Sequence, residues 1–298
     1  MYKVIRSLSA EYPVRLVCSV LQASFSAYYA YFRQESHVLK PIKAERAAAV
    51  KRVFEEHRRR YGAIRVSKTL QSEGIKIGRY QTSSLMKAQN LIAIQPKSFV
   101  PKTTQSDTEA ERSPNLLLER AAVHKPDEVF IGDITYIPLT DGGWLYLAAW
   151  QDMFTRTIVG WELKDHMRTS LVVSALNKAI KRRKLPKGLI IHSDGGKQYS
   201  AKEFREVLKK HEFEQSMTRK NNHYDNAMAE SLWSRFKAEL LDKGAFECLE
   251  DAYTEIFEYI EIYYNKKRIH SSLNYQTPSS FEAQFLKPYK LKVLKKGR

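Results

Sequence analysis

The stretch Val129-Phe-Ile-Gly-Asp-Ile-Thr-Tyr-Ile137 is rich in β-branched and aromatic residues, which is typical of a buried strand. We therefore predict a strand over 129–138. The turn Thr140-Asp-Gly-Gly143 follows it, and its Asp-Gly pair is a strong hairpin signal. The next two apolar runs should consequently be antiparallel strands, at 144–152 and 157–163.

Beyond this hairpin, helical and extended patterns alternate along the chain. The predicted elements are helix 169–183, strand 188–193, helix 201–211, strand 213–218, helix 226–242 and helix 249–264. Strands that pair first as hairpins and then alternate with helices indicate an α/β fold, with a mixed sheet and helices on both faces.

Three acidic residues stand at informative places in this pattern. Asp133 lies in the first strand, and Asp194 ends an apolar run just before Gly195-Gly196. Glu230 belongs to a helix whose apolar stripe, at helical spacing, leaves Glu230 and Lys237 on the opposite face. The segment between Asp194 and Glu230 is 35 residues long.

Carboxylates in this arrangement suit a metal site for phosphodiester chemistry. Mg²⁺ takes oxygen ligands and is usually held by a few carboxylates together with substrate phosphates. Two such ions activate an attacking oxygen and stabilise the leaving one in displacement at phosphorus. Lys237 follows Glu230 by seven residues, about two helical turns, and is expected to hold a DNA phosphate beside the metals.

The amino-terminal third carries most of the positive charge. Residues 1–100 hold 18 Lys and Arg against 6 Asp and Glu, a net charge of +12 out of +17 for the whole chain. Basic charge gives affinity for nucleic acid by releasing counterions, so this region is predicted to dock on DNA. A solvated basic surface without a partner is the alternative.

This basic region is predicted to be all-α. Helices are expected at Pro13–Leu21, Phe25–Arg33, Lys43–Arg60, Ala63–Gly74 and Arg79–Asn90. The last two form a helix-turn-helix-like pair, whose second helix would read the major groove. The predicted DNA contacts are Arg79, Gln81, Thr82 and Lys87; plain helix packing is the alternative.

Composition divides the chain into four parts. These are a helical DNA-binding region at 1–95, a Ser/Thr/Pro-rich linker at 96–122, a catalytic core at 123–285 and a basic tail at 286–298. Two cysteines are too few for a zinc finger or a disulfide framework, and no apolar stretch reads as a signal peptide or membrane span. The expected location is the cytoplasm, in association with the nucleoid.

Four sequence blocks, in order over about half of the chain, resemble those of one protein family. The blocks are Asp133-Ile-Thr-Tyr-Ile137, His192-Ser-Asp-Gly-Gly-Lys-Gln-Tyr199, Tyr224-Asp-Asn-Ala-Met-Ala-Glu-Ser231 and Tyr264-Asn-Lys-Lys-Arg-Ile-His-Ser-Ser-Leu-Asn-Tyr-Gln-Thr-Pro278. They look like the catalytic blocks of the IS-three family of bacterial insertion-sequence transposases, in particular its second-frame product (B subunit), within the retroviral-integrase superfamily. Family members often carry Thr where Gly132 stands, and this glycine is expected to loosen the strand beside Asp133.

The resemblance implies a ribonuclease H-like core preceded by a helix-turn-helix region. It implies that Asp133, Asp194 and Glu230 are the catalytic, metal-binding triad and that Lys237 is the basic residue behind it. The implied activity is DNA strand cleavage and strand transfer at element ends, with two Mg²⁺ ions for which Mn²⁺ would substitute. The implied partners are double-stranded DNA, further copies of this chain on that DNA, and a first-frame helix-turn-helix subunit.

Four further polar residues are candidates for supporting roles. Arg268 and His270 are predicted to belong to a DNA-facing patch, although Arg268 could equally be a plain surface charge. Asn226 is predicted to cap the Glu230 helix and then to touch the site, while His192 could support the metal-binding residues or be purely structural.

Two other functions compete with that of a transposase. The chain could be a catalytically incomplete DNA-binding or regulatory product that acts only with the first-frame subunit. A nuclease acting on RNA hybrids is weaker, because the blocks that contain Glu230 and Arg268 are not expected there.

Overall fold

The computed structural model describes residues 1–33, 41–95, 112–118, 120, 122–219, 223–241 and 244–285. The chain divides into two compact units, Met1–Ala93 and Ile94–Arg298. Most of the predicted linker, including 96–111, and the predicted basic tail 286–298 lie outside the described residues. The four-part division therefore stays a prediction.

The first unit is helical throughout its described elements. They are α1 (Tyr2–Leu8), α2 (Val14–Val20), α3 (Phe25–Phe32), α4 (Pro41–Glu56), α5 (Ala63–Ser72) and α6 (Arg79–Ala88). Ser24 caps α3 by accepting a hydrogen bond from the Ala27 N–H at 3.3 Å. The sequence predicted every one of these helices except α1.

The second unit is built on a five-stranded sheet with the order β3-β2-β1-β4-β5. Its strands are β1 (Val129–Pro138), β2 (Trp144–Asp152), β3 (Ile158–Lys164), β4 (Ile190–Ser193) and β5 (Glu214–Met217). The first three pair antiparallel, and β4 and β5 continue the sheet parallel to β1. The predicted hairpin is confirmed: Gly142 takes φ 86° in the turn, a conformation that glycine adopts without strain.

Helices flank this sheet. They are α7 (Thr169–Arg182), α8 (Lys197–Ser200), α9 (Lys202–Lys210), α10 (Ala227–Leu240), α11 (Leu249–Phe257) and α12 (278–285). The single helix predicted over 249–264 is instead α11 followed by a π-helical segment, Glu258–Tyr264. No helix among the described residues is long and apolar enough to cross a membrane.

Alternation along β1 separates two hydrophobic clusters. Phe130 points to the face that is covered by α7 and α9, where it joins Trp150 and Ile191. Its neighbours Val129 and Ile131 point the other way and pack with Ile190 of β4 and Ala229 of α10. The predicted mixed sheet with helices on both faces is therefore confirmed, and α10 lies on the face opposite to α7.

Candidate metal centre and DNA-binding surfaces

Strand register brings Asp133 and Asp194 together. Strand β1 pairs in parallel with β4 as far as Ile131 and His192; Asp133 lies two residues further along β1, and Asp194 is the first residue after β4. The two side chains are close enough for the charge of Asp194 to raise the pKa of Asp133. The carboxylates accept hydrogen bonds from nearby backbone N–H groups, Asp133 from Ile134 at 2.8 Å and Asp194 from Gly196 at 3.0 Å.

Both carboxyl groups have a raised pKa. Burial raises the pKa of Asp133 above its usual range, and the charges of Asp194 and Glu230 raise it further, while the Ile134 N–H opposes the rise. Burial likewise raises the pKa of Asp194, and the Gly196 N–H and the charge of Arg112 oppose that rise. Buried like charges of this kind are stabilised by a cation between them.

Glu230 comes from α10 and stands further from this pair. Its side chain is exposed in the first turn of the helix, and its charge still acts on Asp133. Within the described part of the chain, no three His, Cys, Asp or Glu side chains stand close enough to enclose a metal ion. The structure therefore assembles the two aspartates and leaves the glutamate facing them from the helix.

Lys237 lies on the same side of α10 as Glu230. Burial lowers the pKa of its ammonium group, and the negative charge of Asp133 opposes that change, so Lys237 is near the aspartate pair. The indole N–H of Trp233 also lies near Asp133 and lowers the pKa of that carboxyl group. This N–H is buried and has no hydrogen-bond acceptor within bonding distance among the described residues. An aromatic residue at helical spacing is usually a packing residue, so the sequence gives no signal for this position of Trp233.

A buried hydrogen-bond network supports the start of α10. His192 Nδ1 and Ser216 Oγ lie 2.8 Å apart, and His192 Nε2 lies 3.1 Å from the carbonyl oxygen of Asp225. Burial lowers the pKa of His192, so its ring is neutral at pH 7 and bridges β4, β5 and the turn before α10. The carboxylate of Asp225 accepts hydrogen bonds from the Asn115 amide at 2.9 Å and from Arg219 Nη2 at 3.0 Å.

Asn226 does not cap α10 with its side chain, contrary to prediction. It occupies the N-cap position, but its side chain makes no capping hydrogen bond. Its Oδ1 is buried without a hydrogen-bond partner among the described residues. The start of α10 is anchored instead by the carboxylate of Asp225, which the sequence did not single out.

The helix α6 presents most of its predicted DNA-contacting side chains to solvent. Arg79, Gln81 and Lys87 are exposed, and Arg46 donates a hydrogen bond to Gln81 Oε1 at 3.3 Å. Thr82 is fully buried, and its hydroxyl donates to the Gly78 carbonyl at 3.0 Å, so the prediction that it contacts DNA is wrong. Tyr80, which was not predicted, is 87% exposed beside Arg79.

Arg268 is a buried structural residue, and its predicted place in a DNA-facing patch is wrong. Its side chain is 2% exposed, and Nη2 donates to Glu239 Oε1 at 2.6 Å while Nε donates to Oε2 at 2.9 Å. Tyr259 completes the cluster by donating to Glu239 Oε2 at 2.9 Å. His270 is partly exposed, and its Nδ1 lies 2.9 Å from Ser272 Oγ, so its DNA contact stays a prediction.

Comparison with protein families gives matches in both units. A model described as "Integrase core domain" matches residues 123–223, and a second with the same description matches residues 211–278. A model described as "HTH-like domain" matches residues 41–99.

Curated relatives match nearly their whole length. The transposase for insertion sequence element IS904 of Lactococcus lactis subsp. lactis is 40% identical over 78% of this chain and 91% of its own. Transposase InsF for insertion sequence IS3A of Escherichia coli K12 is 31% identical over 94% of this chain and 98% of its own. Among solved structures, the catalytic core domain of HTLV-2 integrase in complex with magnesium gives a TM-score of 0.41 at 18% identity, over 53% of this chain and 97% of that one.

Proposed function

Because this chain belongs to the IS3-family transposases of bacterial insertion sequences, we propose that Asp133, Asp194 and Glu230 hold the divalent metal used in its DNA cleavage and strand transfer. The proximity of Asp133, in the middle of β1, to Asp194, directly after the neighbouring strand β4, is the observation that supports this assignment. Both reaction steps are displacements at phosphorus, so one site serves both.

The donor set fits a hard cation. Burial raises the pKa of both carboxyl groups, the charge of Asp194 raises that of Asp133 further, and carboxylate oxygens are the ligands that Mg²⁺ prefers. The carboxyl group of Glu230 must approach this pair for the three residues to share an ion. We propose two Mg²⁺ ions, with Mn²⁺ able to replace them; when bound, such ions activate the attacking oxygen and stabilise the leaving one.

The protein's own residues then orient the DNA. Glu230 stands in the first turn of α10, where the helix dipole favours a negative charge. The half-buried ammonium group of Lys237, near Asp133, is placed to hold a phosphate at the reacting end. The exposed Arg79, Gln81 and Lys87 on α6 would bind DNA away from the chemistry.

Substitution of the carboxylates tests the metal site. The purified chain is incubated with Mg²⁺ and labelled duplexes that carry the DNA flanking its coding sequence, and nicked and joined strands are measured. Asp133→Asn, Asp194→Asn and Glu230→Gln should each lower cleavage by more than about 100-fold, beyond the effect of losing a group that only supports a ligand. Glu206→Gln, an exposed change on α9, is the control.

DNA affinity in EDTA should stay nearly unchanged in all four variants. Full cleavage by any of the three site variants would remove that residue from the metal site. Cleavage that appears only after a first-frame subunit is added would favour the alternative, a DNA-binding product that needs this partner.

Comparison of Lys237→Ala with Arg235→Ala tests whether Lys237 contacts the DNA phosphate at the reacting end or is only a surface charge. The two residues lie roughly 160° apart around α10, at about 100° per residue, and Arg235 is exposed. Lys237→Ala should lower cleavage and joining much more than affinity, because the lost contact is beside Asp133. Equal activity of the two variants at matched DNA occupancy would make Lys237 a solvated surface residue.

We also propose that the transposase works as a homo-oligomer on double-stranded DNA, because cleavage and joining at two element ends need two active sites. Sedimentation of the full chain with and without end duplexes tests this. A complex that contains one chain per pair of ends would refute it.

A further inference from the structure

Arg112 lies across the backbone of Gly195, beside Asp194. A Cβ atom added to Gly195 would overlap the guanidinium group of Arg112. The positive charge of Arg112 also acts on the Asp194 carboxylate. The sequence placed Arg112 in a linker and gave no reason to expect it near the metal site.

The residues that follow Arg112 fix it to the sheet. We call residues 112–117 the strap. Three hydrogen bonds join the strap to β5: Ser113 Oγ donates to Gln215 Oε1 at 2.8 Å, the Leu116 N–H donates to Ser216 Oγ at 3.0 Å, and the Pro114 carbonyl accepts from the Met217 N–H at 3.2 Å. A fourth runs from the Asn115 amide to Asp225 Oδ2, just before α10, at 2.9 Å. Backbone and side-chain bonds of this number hold Arg112 beside β5 and the start of α10.

One nitrogen of the Arg112 guanidinium group lacks a hydrogen-bond partner among the described residues. This nitrogen, Nη1, is buried. In the same part of the chain, no ion pair joins it to Asp194, although the two charges interact. A buried donor without an acceptor is unfavourable, and such groups are usually reserved for a ligand or water.

We propose that Arg112 binds a DNA phosphate at the reacting end, next to the metal-binding aspartates, and that Gly195 is glycine because this guanidinium group must lie over it. The proposal rests on the function proposed above. A guanidinium fork matches two phosphate oxygens, and a phosphodiester is the anion that this site must accept. If Arg112 served only to neutralise Asp194, it would be expected to bond directly to that carboxylate.

Salt dependence of DNA binding in EDTA tests this contact without metal or chemistry. Loss of one phosphate contact should reduce the slope of log affinity against log salt by about 0.9. We expect this reduction for Arg112→Ala, together with a fall in single-turnover cleavage of at least about 10-fold in Mg²⁺, or about 1.4 kcal/mol. Arg112→Lys should restore the slope but not the full rate, since lysine lacks the fork.

Two further variants make the test specific. Gly195→Ala should reproduce the Arg112→Ala phenotype by displacing the guanidinium group, and the double variant should be no worse than Arg112→Ala alone. Arg120→Ala is the matched control, because it removes an equal charge from a nearby residue that pairs with Glu128 at 3.5 Å. It should leave both slope and rate unchanged.

The outcomes separate this proposal from the function on which it rests. An Arg112→Ala protein with native slope and native rate overturns the phosphate contact, while Asp133→Asn still reports on the metal site. Faster cleavage by Arg112→Ala would also overturn it, because Arg112 would then compete with the metal. If no protein cleaves DNA, the proposed function fails, and the slope in EDTA still decides the role of Arg112.

Discussion

Arg268→Ala should destabilise the second unit strongly, because Arg268 and Glu239 form a buried pair. Their side chains are 2% and 5% exposed, so alanine leaves a buried carboxylate, to which Tyr259 donates a hydrogen bond, without its positive partner. Breaking a buried pair by removing one partner costs about 3–5 kcal/mol. For a unit of this size that corresponds to a fall in Tm of about 6–20 °C.

Tryptophan fluorescence makes the measurement specific to this unit, because all four tryptophans lie after residue 140. Urea unfolding followed by this signal gives the free energy of unfolding of Arg268→Ala and of Lys266→Ala, an exposed control expected to change it by no more than about 0.5 kcal/mol. Replacing Glu239 and Arg268 together by methionine should recover much of the loss, since an apolar pair leaves no buried charge. Native stability of Arg268→Ala combined with weakened DNA binding would refute the structural role and restore the sequence-based prediction.

Three more outcomes follow from the structure. Gly132→Ala should destabilise the second unit by about 1–3 kcal/mol in urea unfolding, because the new Cβ would overlap the ring of Trp150; a neutral result would mean that the ring shifts freely. The Arg219 hydrogen bond, ahead of the smaller contributions from Asn115 and the backbone, lowers the pKa of Asp225 from 3.8 to about 2. The stabilisation by the Asp225 carboxylate is therefore present above about pH 4 and lost as the pH falls through 2. In acid titrations, the difference in free energy of unfolding between the native protein and Asp225→Asn should shrink over that window. A fragment of residues 1–95 should bind duplex DNA with steep salt dependence, and salt-independent binding in a filter assay would contradict its role as the docking region.

Local pattern predicted the elements of the fold well, because periodicity and turn chemistry act over a few residues. Strands β1 and β2 have the predicted bounds, and their Asp-Gly turn is where the sequence placed it. The proximity of Asp133 and Asp194 depends instead on the parallel pairing of β1 with β4, which no local pattern specifies. It was foreseen through the family resemblance.

The predictions from sequence were wrong where the burial of a side chain depends on a partner far away along the chain. Arg268 reads as a surface charge in sequence, yet Glu239, 29 residues away, lets it lie inside the fold. The strap reads as linker because of its Ser, Pro and Asn, yet its polar groups bond to β5 and Asp225. Polar composition indicates that hydrogen bonds must be made, and only the tertiary structure shows whether water or protein makes them.

Gly132 departs from the family pattern, and its surroundings in the sheet give this glycine a packing role that the sequence did not predict. From sequence, glycine beside Asp133 should loosen the strand. In the sheet, Gly132 is paired with Trp150, whose ring covers the space that a side chain would fill and packs on Phe204 at 5.9 Å between ring centroids. The tryptophan thus replaces the packing that a larger residue at 132 would supply. A side chain at 132 would have to displace the Trp150 ring from β1, one residue before Asp133, and so disturb the packing under the strand that carries this carboxylate.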